Sequence, residues 1–154
     1  MKNLSREQMM ESLGTVGEKL VANYLSKNHQ VEISPFKFDK EKDMLVDGMK
    51  VEVKTQAPLF KMNCFTIQPN QLYKCKNSQV LMFVSAPHPN PKLRHKTAGW
   101  IYQILNGEFE YKSWKDSSGE PRILIPIDQK AVIPLVKVTD EEAFELQRYV
   151  YTKF

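Results

Sequence analysis

Lys42-Asp43-Met44-Leu45-Val46-Asp47-Gly48-Met49-Lys50-Val51-Glu52-Val53-Lys54-Thr55-Gln56 is the stretch whose reading decides how this chain folds. Asp-Gly between two apolar runs is a strong signal for a two-residue hairpin turn. With Asp47 and Gly48 as the loop, Val46 faces Met49, and stepping outward sets Asp43 across from Glu52. Such cross-strand neighbours have Cβ atoms ~5 Å apart on one face of the sheet. Side chains alternate along a strand, so Glu52, Lys54 and Gln56 share that face while Val51 and Val53 turn to the other. Two carboxylates and an ammonium therefore meet on one surface, backed by an apolar layer. That arrangement has two readings. Lys54 can be the cation that relieves the repulsion, giving a surface ion-pair cluster worth ~0–1 kcal/mol. A divalent metal can take that place instead, since Mg²⁺ favours one or two carboxylates plus waters and phosphate.

Working outward, Leu13, Val16, Leu20, Val21, Tyr24 and Leu25 form one apolar stripe at helical spacing. Thr15-Val16-Gly17-Glu18 reads as a capping box that starts its well-formed part. Val31–Ile33 is a short strand stopped at Pro35, and residues 39–42 are a charged loop. Cys64–Ile67 is a strand, and Gln68-Pro69 starts a short helix through about Lys76. Val80–Ser85 is a continuous apolar run and hence a buried strand. Residues 86–99 read as a loop with three prolines and, counting His95, four basic side chains. Trp100–Leu105 and Phe109–Trp114 read as strands joined through Asn106-Gly107. Residues 122–127 form another strand after the turn Ser117-Ser118-Gly119. Thr139-Asp140-Glu141-Glu142 is a capping box opening a C-terminal helix with Ala143, Leu146 and Val150 on one side. The order predicts an α/β (α+β) domain with a central mixed sheet flanked by helices.

With 154 residues, one domain spanning 1–154 is expected. Hydrophobic residues at 42% and charged ones at 26% exclude a disordered chain. Cys64 and Cys75, without a CxxC pair, exclude a cysteine-rich zinc site and fit a reducing compartment. No apolar run has membrane-spanning length, and the N-terminus is charged where a signal peptide is apolar. A soluble, cytoplasmic protein is expected. The net charge of +4 is mild, but its distribution is informative. No acid occurs from Lys61 to Lys96, where Lys61, Lys74, Lys76, Lys92, Arg94 and Lys96 all fall. A basic region beside an acidic cluster suits a metal-dependent enzyme acting on a polyanion. A solvated lysine-rich surface is the plain alternative.

His29, His88 and His95 lack HxH or HExxH spacing, which argues against zinc. Ser85 and Cys75 lack a GxSxG context, and no P-loop or Rossmann glycine pattern occurs.

Asp43, eight intervening residues and then Glu52-Val53-Lys54 resemble the PD-(D/E)xK nuclease motif. Lys42 stands where that motif usually has Pro. The surroundings are also similar to the family core of helix, three-strand meander, helix and strand, over roughly residues 14–85. Residues 86–154 are an elaboration, with an extra β-hairpin region and a terminal helix, that has no counterpart in the resemblance. The small size and early Glu18 look most like the Holliday-junction resolvase and phage junction-endonuclease branches.

The resemblance implies a restriction-endonuclease-like core. It implies a Mg²⁺ ion, replaceable by Mn²⁺, bound by Asp43, Glu52 and the backbone carbonyl of Val53. Lys54 would orient the attacking water and neutralise transition-state charge. Glu18 matches the acid many members carry on the first helix, or is only the glutamate of a capping box. Gln56 occupies a position near the scissile phosphate in some members, or is an ordinary exposed side chain. Gln71, Tyr73 and Lys74 on the second helix, and Lys92, Arg94 and Lys96 in the loop, are candidate DNA contacts. A solvated helix face and a flexible loop are their alternatives.

The activity implied is a metal-dependent DNA endonuclease, structure-selective for branched or double-stranded DNA and working as a homodimer. The Gln-x-x-x-Tyr signature of one exonuclease branch is absent, since Leu72 follows Gln68 and Cys75 follows Gln71 at that spacing. Two other classes compete: a catalytically inactive nuclease fold used for nucleic-acid binding or assembly, and a structural α+β domain with a coincidental motif. Intact Asp43, Glu52 and Lys54 argue against the inactive fold.

Overall fold

Ser5 opens the first helix: its hydroxyl accepts the Gln8 N–H at 3.1 Å, and the Gln8 side chain accepts the Ser5 N–H at 2.8 Å. This capping box starts α1 (Arg6–Leu25). The box expected at Thr15–Glu18 is therefore not one. Thr15 lies mid-helix and its hydroxyl donates to the Glu11 carbonyl at 3.1 Å, because the first-turn N–H groups belong to residues further upstream. The computed structural model describes residues 4–33, 44–105 and 108–152.

The strands are β1 (Val31–Ile33), β2 (Met44–Val46), β3 (Met49–Gln56), β4 (Cys64–Ile67), β5 (Val80–Ser85), β6 (Trp100–Leu105), β7 (Lys112–Lys115), β8 (Pro121–Pro126) and β9 (Ile133–Lys137). After β4, a 3₁₀ turn at Pro69–Gln71 leads into α2 (Leu72–Lys76), and α3 (Asp140–Arg148) ends the fold. The chain is thus mixed α/β, with a six-stranded mixed sheet and a three-stranded antiparallel one.

The main sheet runs β1-β2-β3-β5-β6-β9. The β2–β3 hairpin turns as expected. Asp47 at φ 50° and Gly48 at φ 82° both adopt the positive φ that this tight turn requires. Val46 pairs with Met49, and Met44 with Val51. Asp43, Pro35 and the charged loop at 39–42 lie outside the described residues. β3 and β5 are parallel, in register from Val51–Val80 to Gln56–Ser85. Parallel neighbours need a crossover, and β4, the 3₁₀ turn and α2 provide it.

The second sheet runs β4-β8-β7. Phe109–Trp114 was expected to pair back on Trp100–Leu105, and here the structure differs. β6 lies between β5 and β9, while the later strand is Lys112–Lys115 and pairs with β8. Phe109 is instead buried against Ile104 and Ile123, so residues 109–111 cross from one sheet to the other. β9 was not foreseen. Pro134 within it obscures a strand pattern, and β9 is an edge strand, where proline is tolerated.

Two apolar layers sandwich the main sheet. Val51, Val53, Val80 and Met82 pack with Leu13, Leu20 and Val21 of α1 and Leu146 of α3. On the opposite face Leu81, Phe83 and Ile104 meet Phe65, Ile67, Ile123 and Ile125 of the second sheet. Phe65 stacks on Phe83 with centroids 4.3 Å apart. Among the described residues no helix is long and apolar enough to cross a membrane.

Candidate functional site

Alternation along β3 sends Val51 and Val53 toward α1 and turns Glu52 and Lys54 toward the crossover segment. Pro69 fixes where that segment begins, and Cys75, fully buried, anchors α2 in the second core. Gln71 and Lys74, three residues apart, then share one side of the turn and reach down onto β3.

Glu52 is 1% exposed, so it is not part of a surface cluster. Its Oε1 lies 3.2 Å from Lys54 Nζ and its Oε2 lies 3.2 Å from Lys74 Nζ. Lys54 Nζ also donates to Gln71 Oε1 at 2.6 Å. A carboxylate taken out of water costs several kcal/mol unless countercharges meet it. Here both oxygens face an ammonium, which is why a glutamate can stand in the interior of β3.

Of the residues singled out from sequence, the structure brings Glu52, Lys54 and Lys74 together. Lys74 was grouped with Gln71 and Tyr73 as one helix face, and the three separate. Tyr73 is 77% exposed, while Gln71 and Lys74 turn inward. The signal was present in the spacing, since Leu72 and Cys75 on the buried side leave Gln71 and Lys74 beside them. Glu52 as their shared target required the tertiary fold.

Glu18 is half-buried on α1, directly after Gly17, which packs against Thr55, the residue following Lys54. Val53 lies at the middle of β3 opposite Met82. Gln56 works as a strut between the sheets: its Nε2 donates to the Thr66 carbonyl at 2.7 Å, and its Oε1 accepts the Thr66 N–H at 2.8 Å. Any DNA contact by Gln56 has to be made without those two atoms.

The loop at 86–99 leaves from beside Gln56, where the Ala86 N–H donates to the Gln56 carbonyl at 2.7 Å. It carries exposed Lys92, Arg94 and Lys96. Arg94 is tied down, donating from Nε to the His88 carbonyl at 2.7 Å and from Nη2 to Gln147 Oε1 of α3 at 3.0 Å. His95 is not one of the loop's outward cations. It is buried, with Nε2 2.7 Å from the Met62 carbonyl and Nδ1 2.9 Å from Thr97 Oγ1. Thr97 Oγ1 in turn meets Ser85 Oγ at 2.8 Å. This chain of bonds satisfies Ser85 inside the sheet without any nucleophile chemistry. Burial pushes the Cys64 thiol above the ordinary 9.0.

Among the described residues, no group of three or more His, Cys, Asp and Glu side chains gathers to hold a metal. Glu52 is the carboxylate that those residues bring to this site. A carboxylate is the oxygen donor a hard cation takes, and in this structure the Lys54 and Lys74 ammoniums stand 3.2 Å from its two oxygens. Mg²⁺ needs only one or two carboxylates and completes its shell with water and phosphate.

No protein-family model matches the chain, and no curated protein matches it either.

Proposed function

We propose that this chain is a Mg²⁺-dependent DNA endonuclease of the PD-(D/E)xK type, structure-selective and resolvase-like, working as a homodimer in the cytoplasm. The observation that carries the reading is the buried Glu52 carboxylate with the Lys54 ammonium 3.2 Å away, two residues along one hairpin strand. The order around it supports the same reading: a first helix, a hairpin, a crossover helix and a parallel strand follow each other as in that family's core. Cys64 and Cys75, which form no CxxC pair, suit a reducing compartment.

Glu52, with Asp43 and the Val53 carbonyl as the resemblance implies, would hold a divalent ion, which would supply Lewis-acid polarisation of the phosphoryl group and a water of lowered pKa. Lys54 keeps a fixed positive charge beside Glu52, where negative charge grows on the phosphoryl oxygens in the transition state. Gln71 holds that ammonium in place. Lys92, Arg94 and Lys96 offer charge to the DNA backbone, which binds without reading sequence.

The second reading is an inactive nuclease fold that binds nucleic acid. The observation favouring it is that both Glu52 oxygens already have ammonium partners. Nicking of supercoiled plasmid and cleavage of four-way junctions, in Mg²⁺ and in EDTA, separate the two. Wild type should cut only with metal, and Lys54→Ala should lose about 10²–10³-fold in turnover while still binding DNA. Equal nicking by Lys54→Ala, or none by wild type in either Mg²⁺ or Mn²⁺, overturns the nuclease reading.

A further inference from the structure

We infer that the turn Leu59-Phe60-Lys61 is a wedge that tells branched DNA from intact duplex: the Phe60 ring stacks on a base left open at the branch point, while lysines around it hold the flanking phosphates. The inference rests on the DNA-binding part of the reading above and names the residue that makes the substrate choice.

Exposure is the first argument. Leu59 is 56% exposed and Phe60 45%, side by side on the surface. The Met62 N–H donates to the Leu59 carbonyl at 3.0 Å, closing a tight turn with Phe60 and Lys61 at its corners. Such corners are ordinarily filled by Gly, Pro, Asn, Asp or Ser, which suit the backbone shape. A large ring set there against the local rule, and left nearly half in water, points to a use outside the fold.

The turn is also fixed and well placed. Pro58 before it is buried, and the two Gln56–Thr66 bonds close the neck of the connection. β3 and β5 are parallel, so their carboxyl ends lie side by side, with Gln56 opposite Ser85. The turn leaves from the first end and the loop at 86–99 from the second, and His95 Nε2, 2.7 Å from the Met62 carbonyl, joins the two. Leu59 is five residues beyond Lys54. That length of chain spans at most about 18 Å, roughly five base-pair rises of DNA. One duplex arm can therefore touch both.

Charge selects the occupant. Lys61 Nζ stands 5.5 Å from the centre of the Phe60 ring, and the adjoining loop carries exposed Lys92 and Lys96. Neither residues 57–63 nor residues 86–99 include an acid. Such a surface complements a polyanion with an open π-face. A second copy of this chain suits it poorly, since protein interfaces are depleted in lysine and need about 800 Å² from each partner. In intact duplex every base is already stacked, so inserting a ring means opening a step. At a branch point the end faces are open, and stacking on them is free of that cost.

The test is fluorescence anisotropy in EDTA and in Ca²⁺, with a four-way junction and a duplex of the same arm sequence, on wild type, Phe60→Ala, Phe60→Leu and Phe60→Trp. Ala and Leu should weaken junction binding by about tenfold or more and leave duplex binding as in wild type. Trp keeps a stacking face and should keep the preference. Leu keeps apolar bulk, so a contact that only supported the fold would survive in it. 2-Aminopurine at the branch point should change its emission on binding wild type and not on binding Phe60→Ala.

Equal weakening on junction and duplex, or wild-type junction binding by Phe60→Leu, overturns the wedge. So does a wild-type dimer that Phe60→Ala splits into monomers in sedimentation, which would make the turn an interface between copies. Junction preference that depends on Phe60, without metal-dependent cutting, upholds the wedge and overturns the nuclease reading. A wild type that binds neither DNA in either buffer and cuts neither in Mg²⁺ overturns both.

Discussion

Gln71 Oε1 lies 2.6 Å from Lys54 Nζ, beside the Glu52 carboxylate, and it ties the crossover segment to the middle of β3. Gln71 touches no reacting atom in the proposed reaction, so it is a positioning residue. Gln71→Ala should lower turnover by about tenfold through a misplaced Lys54, leaving DNA affinity unchanged. Gln71→Glu, which keeps an acceptor at that place, should retain more turnover than Ala. Single-turnover rates and equilibrium binding on one junction substrate check both; a loss of affinity without a loss of rate would make Gln71 a DNA contact instead.

Gly17 gives a stability test on the other face of β3. A Cβ at Gly17 would stand 1.7 Å from Thr55 Oγ1 and 2.8 Å from Thr55 Cβ, and a short β-branched side chain cannot yield that much. Gly17→Ala should therefore destabilise by about 1–3 kcal/mol. Gly14→Ala, on the same helix with nothing within 4 Å of its Cβ, should stabilise by up to about 1 kcal/mol. Urea unfolding of the two variants reads opposite signs if α1 crosses β3 at this point.

Asp47 supplies a pH test of the hairpin. The Gln30 backbone N–H at 2.8 Å and the His29 ring at 2.6 Å hold its carboxyl below the ordinary 3.8. A lowered folded pKa means that the unfolded chain takes up the proton first. The contribution is present above 3.8 and is lost as pH falls through the folded value. Asp47→Asn keeps a residue that tolerates positive φ and removes the charge. The variant should melt below wild type near neutral pH, and the gap should close in acid. A gap that stays constant with pH would assign the effect to turn shape.

The loop beside Gln56 carries the DNA-binding prediction. Arg94 also ties the loop to α3, so its removal confounds charge with structure. Lys92→Gln with Lys96→Gln avoids that. The double variant should weaken DNA binding about equally for all sequences and reduce the salt slope by roughly 2. Fluorescence anisotropy from low to moderate salt measures it. An unchanged slope would put the DNA path on another face.

Local rules account for what the sequence alone determined. Asp47-Gly48 set the β2–β3 turn and its register, because only residues tolerating positive φ fit there. The register then set the alternation that puts Glu52 and Lys54 on one face and Val51 and Val53 on the other. The unbroken apolar run at Val80–Ser85 marked a strand covered on both faces, and Thr139–Glu142 marked a helix start, since each signal is written in adjacent residues. Tertiary structure decided the rest. Thr15–Glu18 looked like a cap until Ser5 and Gln8 took that role upstream. Phe109 drew its segment away from β6 because a buried aromatic outweighs a local turn signal. Lys74 carried no mark of its partner, since Glu52 is 22 residues earlier in the chain. What joins them is the crossover segment, whose Leu72 and Cys75 pack into the second core and so bring Lys74 to Glu52, and the burial that makes Glu52 need a cation exists only once the sheet is covered.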